Sequence, residues 1–201
     1  MKKMSILDRI LLLITVLLAA YQIVVGVEGS PTLSLWAYTI AFGVLLVACL
    51  LLLIQGFEIL ESPLVVIVST IIPLSLSLGL VWEYLPDWDV PYLIFVIVGF
   101  LAVSITRFAA PKKVATFTLI IVHGIAGLII FGLPIILSLR GAMPAGFALV
   151  GVGGALIGVG GLLLSFLKAG KPILSQKTIL TVLPGLLLLM TAAFVAGFSF
   201  A

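Results

Sequence analysis

Charge is what this chain has least of. Ten lysines and arginines and seven acids among 201 residues make 8% of the sequence, against 64% hydrophobic residues. An ordinary globular domain is about 25% charged. A globule with so few charges could not cover itself in a solvated surface, so a soluble fold is excluded. Disorder is excluded too, because disordered chains are poor in apolar residues. Cysteine is almost absent: Cys49 stands alone, no intrachain disulfide can form, and the residue reads as a small buried hydrophobe. A single histidine, His123, leaves no two-histidine haem site within one chain.

Catalytic patterns are missing as well. There is no H-E-x-x-H for zinc and no G-x-S-x-G nucleophile elbow. No aspartate pair lies inside an apolar run; Asp87 and Asp89 are two apart in a connecting segment and do not share a helical face. The last apolar run has a lysine only at its start, Lys177, so a retinal Schiff base within it is excluded. The bases form no patch interleaved with aromatics, which argues against nucleic acid. No carboxylate lies deep in an apolar run, which disfavours a proton- or sodium-coupled pump. No cofactor or metal is expected.

What is present is apolar length. With about 20 apolar residues needed to cross a bilayer, the sequence predicts an all-α, polytopic transmembrane bundle forming a single domain over 1–201. Its seven spans run over about 6–27, 33–56, 63–84, 90–108, 113–139, 144–167 and 177–200. The first run exceeds the 7–15 residues of a signal-peptide core and reads as a retained span. Bases give the direction. With the N-terminus inside, inner segments hold Lys2, Lys3, Arg9, Arg107, Lys112, Lys113, Lys168, Lys171 and Lys177, and outer segments hold only Arg140. The positive-inside rule then places the N-terminus in the cytoplasm and the C-terminus outside. This opposes the topology of retinal proteins and G-protein-coupled receptors. The expected setting is an integral membrane protein, with a prokaryotic plasma membrane as the default.

The outer ends gather Trp36, Trp82, Trp88, Tyr21, Tyr38, Tyr84 and Tyr92, with Glu28, Glu83, Asp87 and Asp89. The outer loop is the most chemically loaded segment. Its Trp82, Glu83, Tyr84, Asp87, Trp88, Asp89 and Tyr92 suit a cation or a sugar-like ring, or simply anchor two helix ends. On the inside, Glu58 and Glu61 are placed to pair with Lys112, Lys113, Lys168 or Lys171, while Asp8 and Arg9 are expected to snorkel to the interface.

His123 lies roughly 13 Å into the fifth span, where an ionisable side chain faces the bundle interior and is a functional candidate by default. Pro73, Pro134 and Pro184 each remove a backbone donor within a span. Pro73 frees the Ser69 carbonyl, which Thr70, Ser75 or Ser77 can satisfy. Kinks at these prolines could enclose a cavity lined by His123, Ser75 and Ser77. The sixth span carries a small-residue face at Gly151, Gly154, Gly158 and Gly161, suited to close helix packing. It has no preceding strand, and a G-x-G-x-x-G begun at Gly151 ends on Leu156, so it is no dinucleotide loop. Return helices align loosely as STIIPLSLSLGL, LIIVHGIAGLII and LTVLPGLLLLMT, a pattern implying one helix plus three parallel hairpins.

Three functions follow, in order of support. The first is a non-enzymatic accessory, assembly or lipid-binding subunit that acts through helix packing, with membrane lipid and a partner subunit or second copy as its partners. The second is a passive channel or uniporter for a neutral, cationic or lipophilic solute. The third is an enzyme on a lipid or quinone with His123 as base, weakened by the lack of an orienting acid.

Overall fold

The computed structural model describes residues 3–168 and 173–201, with the backbone alone for Glu61, Pro63, Ser165, Phe166 and Lys168. It is 87% helical, with no strand among the described residues. The seven helices are α1 (Ile6–Val25), α2 (Thr32–Gln55), α3 (Pro63–Tyr84), α4 (Asp89–Ala109), α5 (Lys112–Leu139), α6 (Ala148–Lys168) and α7 (Gln176–Phe198). Each is long and apolar enough to cross a membrane. They coincide with the expected spans to within a few residues. The largest difference is at α6, which starts at Ala148 because Ala145–Phe147 form a separate 3-10 turn.

Helix ends follow local chemistry. Ser5 caps α1 by accepting from the Asp8 N–H at 3.1 Å, and the Asp8 carboxylate accepts from the Ser5 N–H at 2.8 Å. This reciprocal cap corrects the expectation that Asp8 snorkels: the carboxylate turns back onto the positive end of the helix and is buried, 3% exposed. Gly26 and Gly56 end α1 and α2 at φ 66° and 76°, values that a side chain would disfavour.

Short connections force successive helices to run antiparallel, so the bundle has two ends. One holds Lys3, Arg9, Arg107, Lys112, Lys113 and Lys177 and is called here the basic end. The other holds Trp36, Trp82, Trp88 and Arg140 and is called the aromatic end. Lys2 and Lys171, and the side chains of Glu61 and Lys168, lie outside the described residues. Glu58 is exposed and makes no ion pair among them, so its expected pairing with Lys112 or Lys113 is not formed.

Six helices close a ring in the order α1, α2, α3, α5, α6, α7 and back to α1, and α4 lies outside it against α3 and α5. The middle of the ring is filled with aromatic side chains. Tyr38 and Phe198 sit with ring centroids 4.7 Å apart. Phe42 meets Phe194 edge-on at 6.4 Å and Phe198 at 6.2 Å, and Phe147 meets Phe198 at 6.5 Å. Between Ala41, Phe42, Leu45, Ile72, Leu76 and Phe194 the remaining space is too tight for a water molecule.

The ring's neighbour pairs map onto one another when α1, α2 and α3 are exchanged for α5, α6 and α7. Of the three expected hairpins, α2–α3 and α6–α7 lie within the ring, while α4–α5 places only α5 in it. A sequence match relates α3 to α7, as both the hairpin pattern and this exchange require. Thr70-Ile-Ile-Pro73 and Thr181-Val-Leu-Pro184 occupy equivalent steps, and each threonine hydroxyl donates to the carbonyl four residues back, Val66 or Lys177, at 2.7 Å. The hydroxyls do not go where Pro73 was expected to need them: Ser77 donates to the Pro73 carbonyl at 2.6 Å, and none reaches Ser69. In-helix geometry delivers a serine or threonine proton one turn back, and that contact wins.

Gly79 of α3 leaves the place that the Tyr38 ring of α2 fills, and a Cβ there would run into that ring. That ring is 2% exposed and cannot swing away. Gly79→Ala should lower stability by about 1–3 kcal/mol through overpacking. Thermal unfolding of the detergent-solubilised chain should show a lower midpoint. Gly124→Ala, in open space, should leave the midpoint unchanged or slightly raised.

Candidate functional site

The polar groups singled out from the sequence separate into different environments. His123 is half-buried in the middle of α5, with its Nδ1 enclosed and without a well-formed partner; the Leu119 carbonyl one turn back is the polar group it faces. Its helix neighbours Val122 and Ala126 pack with Leu74 and Val103. Ser77 is fully buried and bonded within α3, and Ser75 is half-buried. Among the described residues no hydrogen bond connects His123, Ser75 and Ser77.

The aromatic-acidic segment divides in the same way. Trp82, Glu83 and Tyr84 form the last turn of α3, Pro86–Trp88 a 3-10 turn, and Asp89 and Tyr92 the first turn of α4. Asp87 and Trp88 are exposed, and Asp89 accepts from the Val90 N–H. Tyr92 turns the other way, 8% exposed, stacking on Phe95 at 5.3 Å with its hydroxyl facing Ser77 but without a well-formed hydrogen bond. The acids are not gathered at one site.

Glu83 alone acquires a polar environment. Its carboxylate accepts from the Ser30 hydroxyl at 3.0 and 3.1 Å and from the Tyr38 hydroxyl at 3.0 Å. No cation among the described residues pairs with it. Ser30 precedes α2 and Tyr38 lies in its second turn; Ser34, one helical turn before Tyr38, is 0% exposed with its hydroxyl unpartnered. Next to Glu83, the Tyr84 ring packs on Phe147 at 5.4 Å. Nothing in the sequence singles out Ser30 or Ser34, and Tyr38 stands there only as an interfacial ring. Their positions 53 and 45 residues from Glu83 leave no spacing signal.

The glycine face of α6 is also distributed differently. A Cβ at Gly151 would stand 2.6 Å from the Phe131 carbonyl oxygen, and one at Gly154 2.8 Å from Ile130. These two glycines therefore seat α6 on α5. Gly153 and Gly160 face α7, against Phe194 and Leu186 at 2.7 and 2.8 Å. Gly158 and Gly161 meet no atom within 4 Å, nor do Gly124 and Gly127 of α5. The G-x-x-x-G pair is thus half contact and half open: a Cβ at Gly154 would meet α5, and one at Gly158 would meet nothing within 4 Å.

Comparison with family models, with curated proteins and with solved structures gives no match.

Two outcomes follow from this geometry. Tyr38→Phe keeps the ring and removes one donor to a charged acceptor, and should cost about 1.5–3 kcal/mol, read by chemical or thermal unfolding. Gly154→Ala should destabilise markedly, because backbone atoms of α5 stand where the methyl would go, whereas Gly158→Ala should be neutral. Equal effects in the two would contradict the packing described.

Proposed function

We propose that this chain is a non-enzymatic multi-pass membrane protein, an accessory or assembly subunit that acts sideways through its helix surfaces. The observation that supports this most is the filled ring: aromatic and aliphatic side chains occupy the axis where a channel would need a polar path. The span hydroxyls reinforce the reading, since Thr15, Thr70, Ser77, Ser104, Thr106, Thr181 and Thr191 each bond a carbonyl of their own helix. The lack of a base–acid pair at His123 counts against lipid or quinone chemistry. The open glycines Gly124, Gly127, Gly158 and Gly161 offer backbone that a neighbouring helix or lipid chain can approach. The partner surface is accordingly the α5 and α6 surface that carries these four glycines. By the positive-inside rule, the basic end and with it the N-terminus face the cytoplasm.

Native mass spectrometry after gentle extraction from the source membrane tests the reading. Reproducible co-elution with a second membrane subunit, or a defined homo-oligomer, is expected. Gly158→Leu with Gly161→Leu should leave the chain folded and dissociate that complex. A purified monomer that carries solute across liposomes would overturn it.

A further inference from the structure

We propose that Glu83, Ser30, Ser34 and Tyr38 form a binding site for a primary ammonium group at the aromatic end, occupied by the headgroup of an aminophospholipid. A carboxylate partly withdrawn from water is stable only when its charge is compensated. Glu83 is half-buried, and among the described residues no lysine, arginine or histidine pairs with it. Ser30 and Tyr38 give their protons to the carboxylate, so each hydroxyl presents only lone pairs to anything beyond. Ser34, one helical turn before Tyr38 and four residues after Ser30, adds a fully buried hydroxyl with no partner.

The unsatisfied capacity of the site is therefore mostly acceptor. An ammonium group is the complement, with three donors and no acceptor. A quaternary ammonium has no N–H to offer and is recognised by aromatic faces instead, so this oxygen-lined site should discriminate against choline. Location selects the lipid as the source: Glu83 is the penultimate residue of α3, at the depth where a spanning helix meets the headgroup layer. A charge-assisted contact there is about twice as strong as a neutral hydrogen bond. The site uses none of the glycines behind the lateral-subunit reading, so either can fail alone.

The test uses the full chain in phosphatidylcholine nanodiscs doped with phosphatidylethanolamine, with retained lipid counted by native mass spectrometry. Selective retention of phosphatidylethanolamine over phosphatidylcholine is expected. Glu83→Gln, whose amide oxygen still accepts from Ser30 and Tyr38, should weaken retention about tenfold, equivalent to ~1.4 kcal/mol. Ser34→Ala should weaken it in the same direction, and Asp87→Asn, exposed and outside the site, should not. An unchanged unfolding midpoint in Glu83→Gln separates lost binding from lost fold. Free ethanolamine that raises the midpoint of the wild type but not of Glu83→Gln, in lipid lacking amines, would support the ammonium site and transfer its source to a soluble amine. Equal retention of the two lipids, wild-type retention by Glu83→Gln, or stabilisation by sodium alone would overturn the proposal.

Discussion

Aromatic rings seated in glycine notches are the contacts on which the rest of this bundle depends. Within a bilayer, helices gain little by hiding apolar surface from one another, because lipid tails are as apolar as leucine. Close van der Waals fit has to hold them together instead. Here the Tyr38 ring lies against Gly79, Phe194 against Gly153, and Phe200 against Gly146. Each pairing lets a large ring take the place of a missing side chain on the facing element. Tyr38 and Phe194 then meet Phe198 and Phe42, tilted and edge-on, across the axis, an arrangement favoured by their quadrupoles. Helix spacing, closure of the axis and the position of the Tyr38 hydroxyl all follow from these contacts.

Tyr38 links packing to polarity. Its ring is fixed by Gly79 and Phe198, and its hydroxyl is thereby fixed beside Glu83. The carboxylate is held at the rim by a side chain whose freedom was already lost to packing, so little further entropy is given up to form the bond. Most span hydroxyls are handled oppositely, each closing onto a carbonyl of its own helix and projecting no polarity toward a neighbour. Among the described residues the buried unsatisfied groups are correspondingly few: the Ser34 and Tyr92 hydroxyls and His123 Nδ1. Ser34 and Tyr92 both sit in the first turns of their helices at the aromatic end, and His123 alone is at depth.

The number of spans and their limits were legible because apolar length is a property of local sequence. Burial was not, since helices apolar on every side carry no contrast between core and lipid faces. Leu12 is 0% exposed and Leu13 is 50% exposed, yet nothing in LLL distinguishes them. The α6 glycines show the same limit. With six of them on one helix, the i, i+4 pair Gly154 and Gly158 was the visible pattern, while contact is made by Gly151 with Gly154 on one side and Gly153 with Gly160 on the other. For Glu83 the residue was visible and its partners were not, because they come from a helix remote in sequence.

α4 alone among the seven helices stands outside the ring. It connects the end of α3 to the start of α5 along the α3–α5 seam, burying little beyond Tyr92, Gly99 and Val103. The exchange relates helix neighbours and the Thr-x-x-Pro step, but not the ring contacts. Tyr38 of α2 enters α3, whereas Phe194 enters α6 from α7. The two halves thus share an architecture while solving the packing of their common axis with rings contributed from opposite members of each hairpin. That asymmetry leaves the Glu83 arrangement in one half only, since the residue 111 positions on, equivalent to Glu83 by the offset between Pro73 and Pro184, is Phe194.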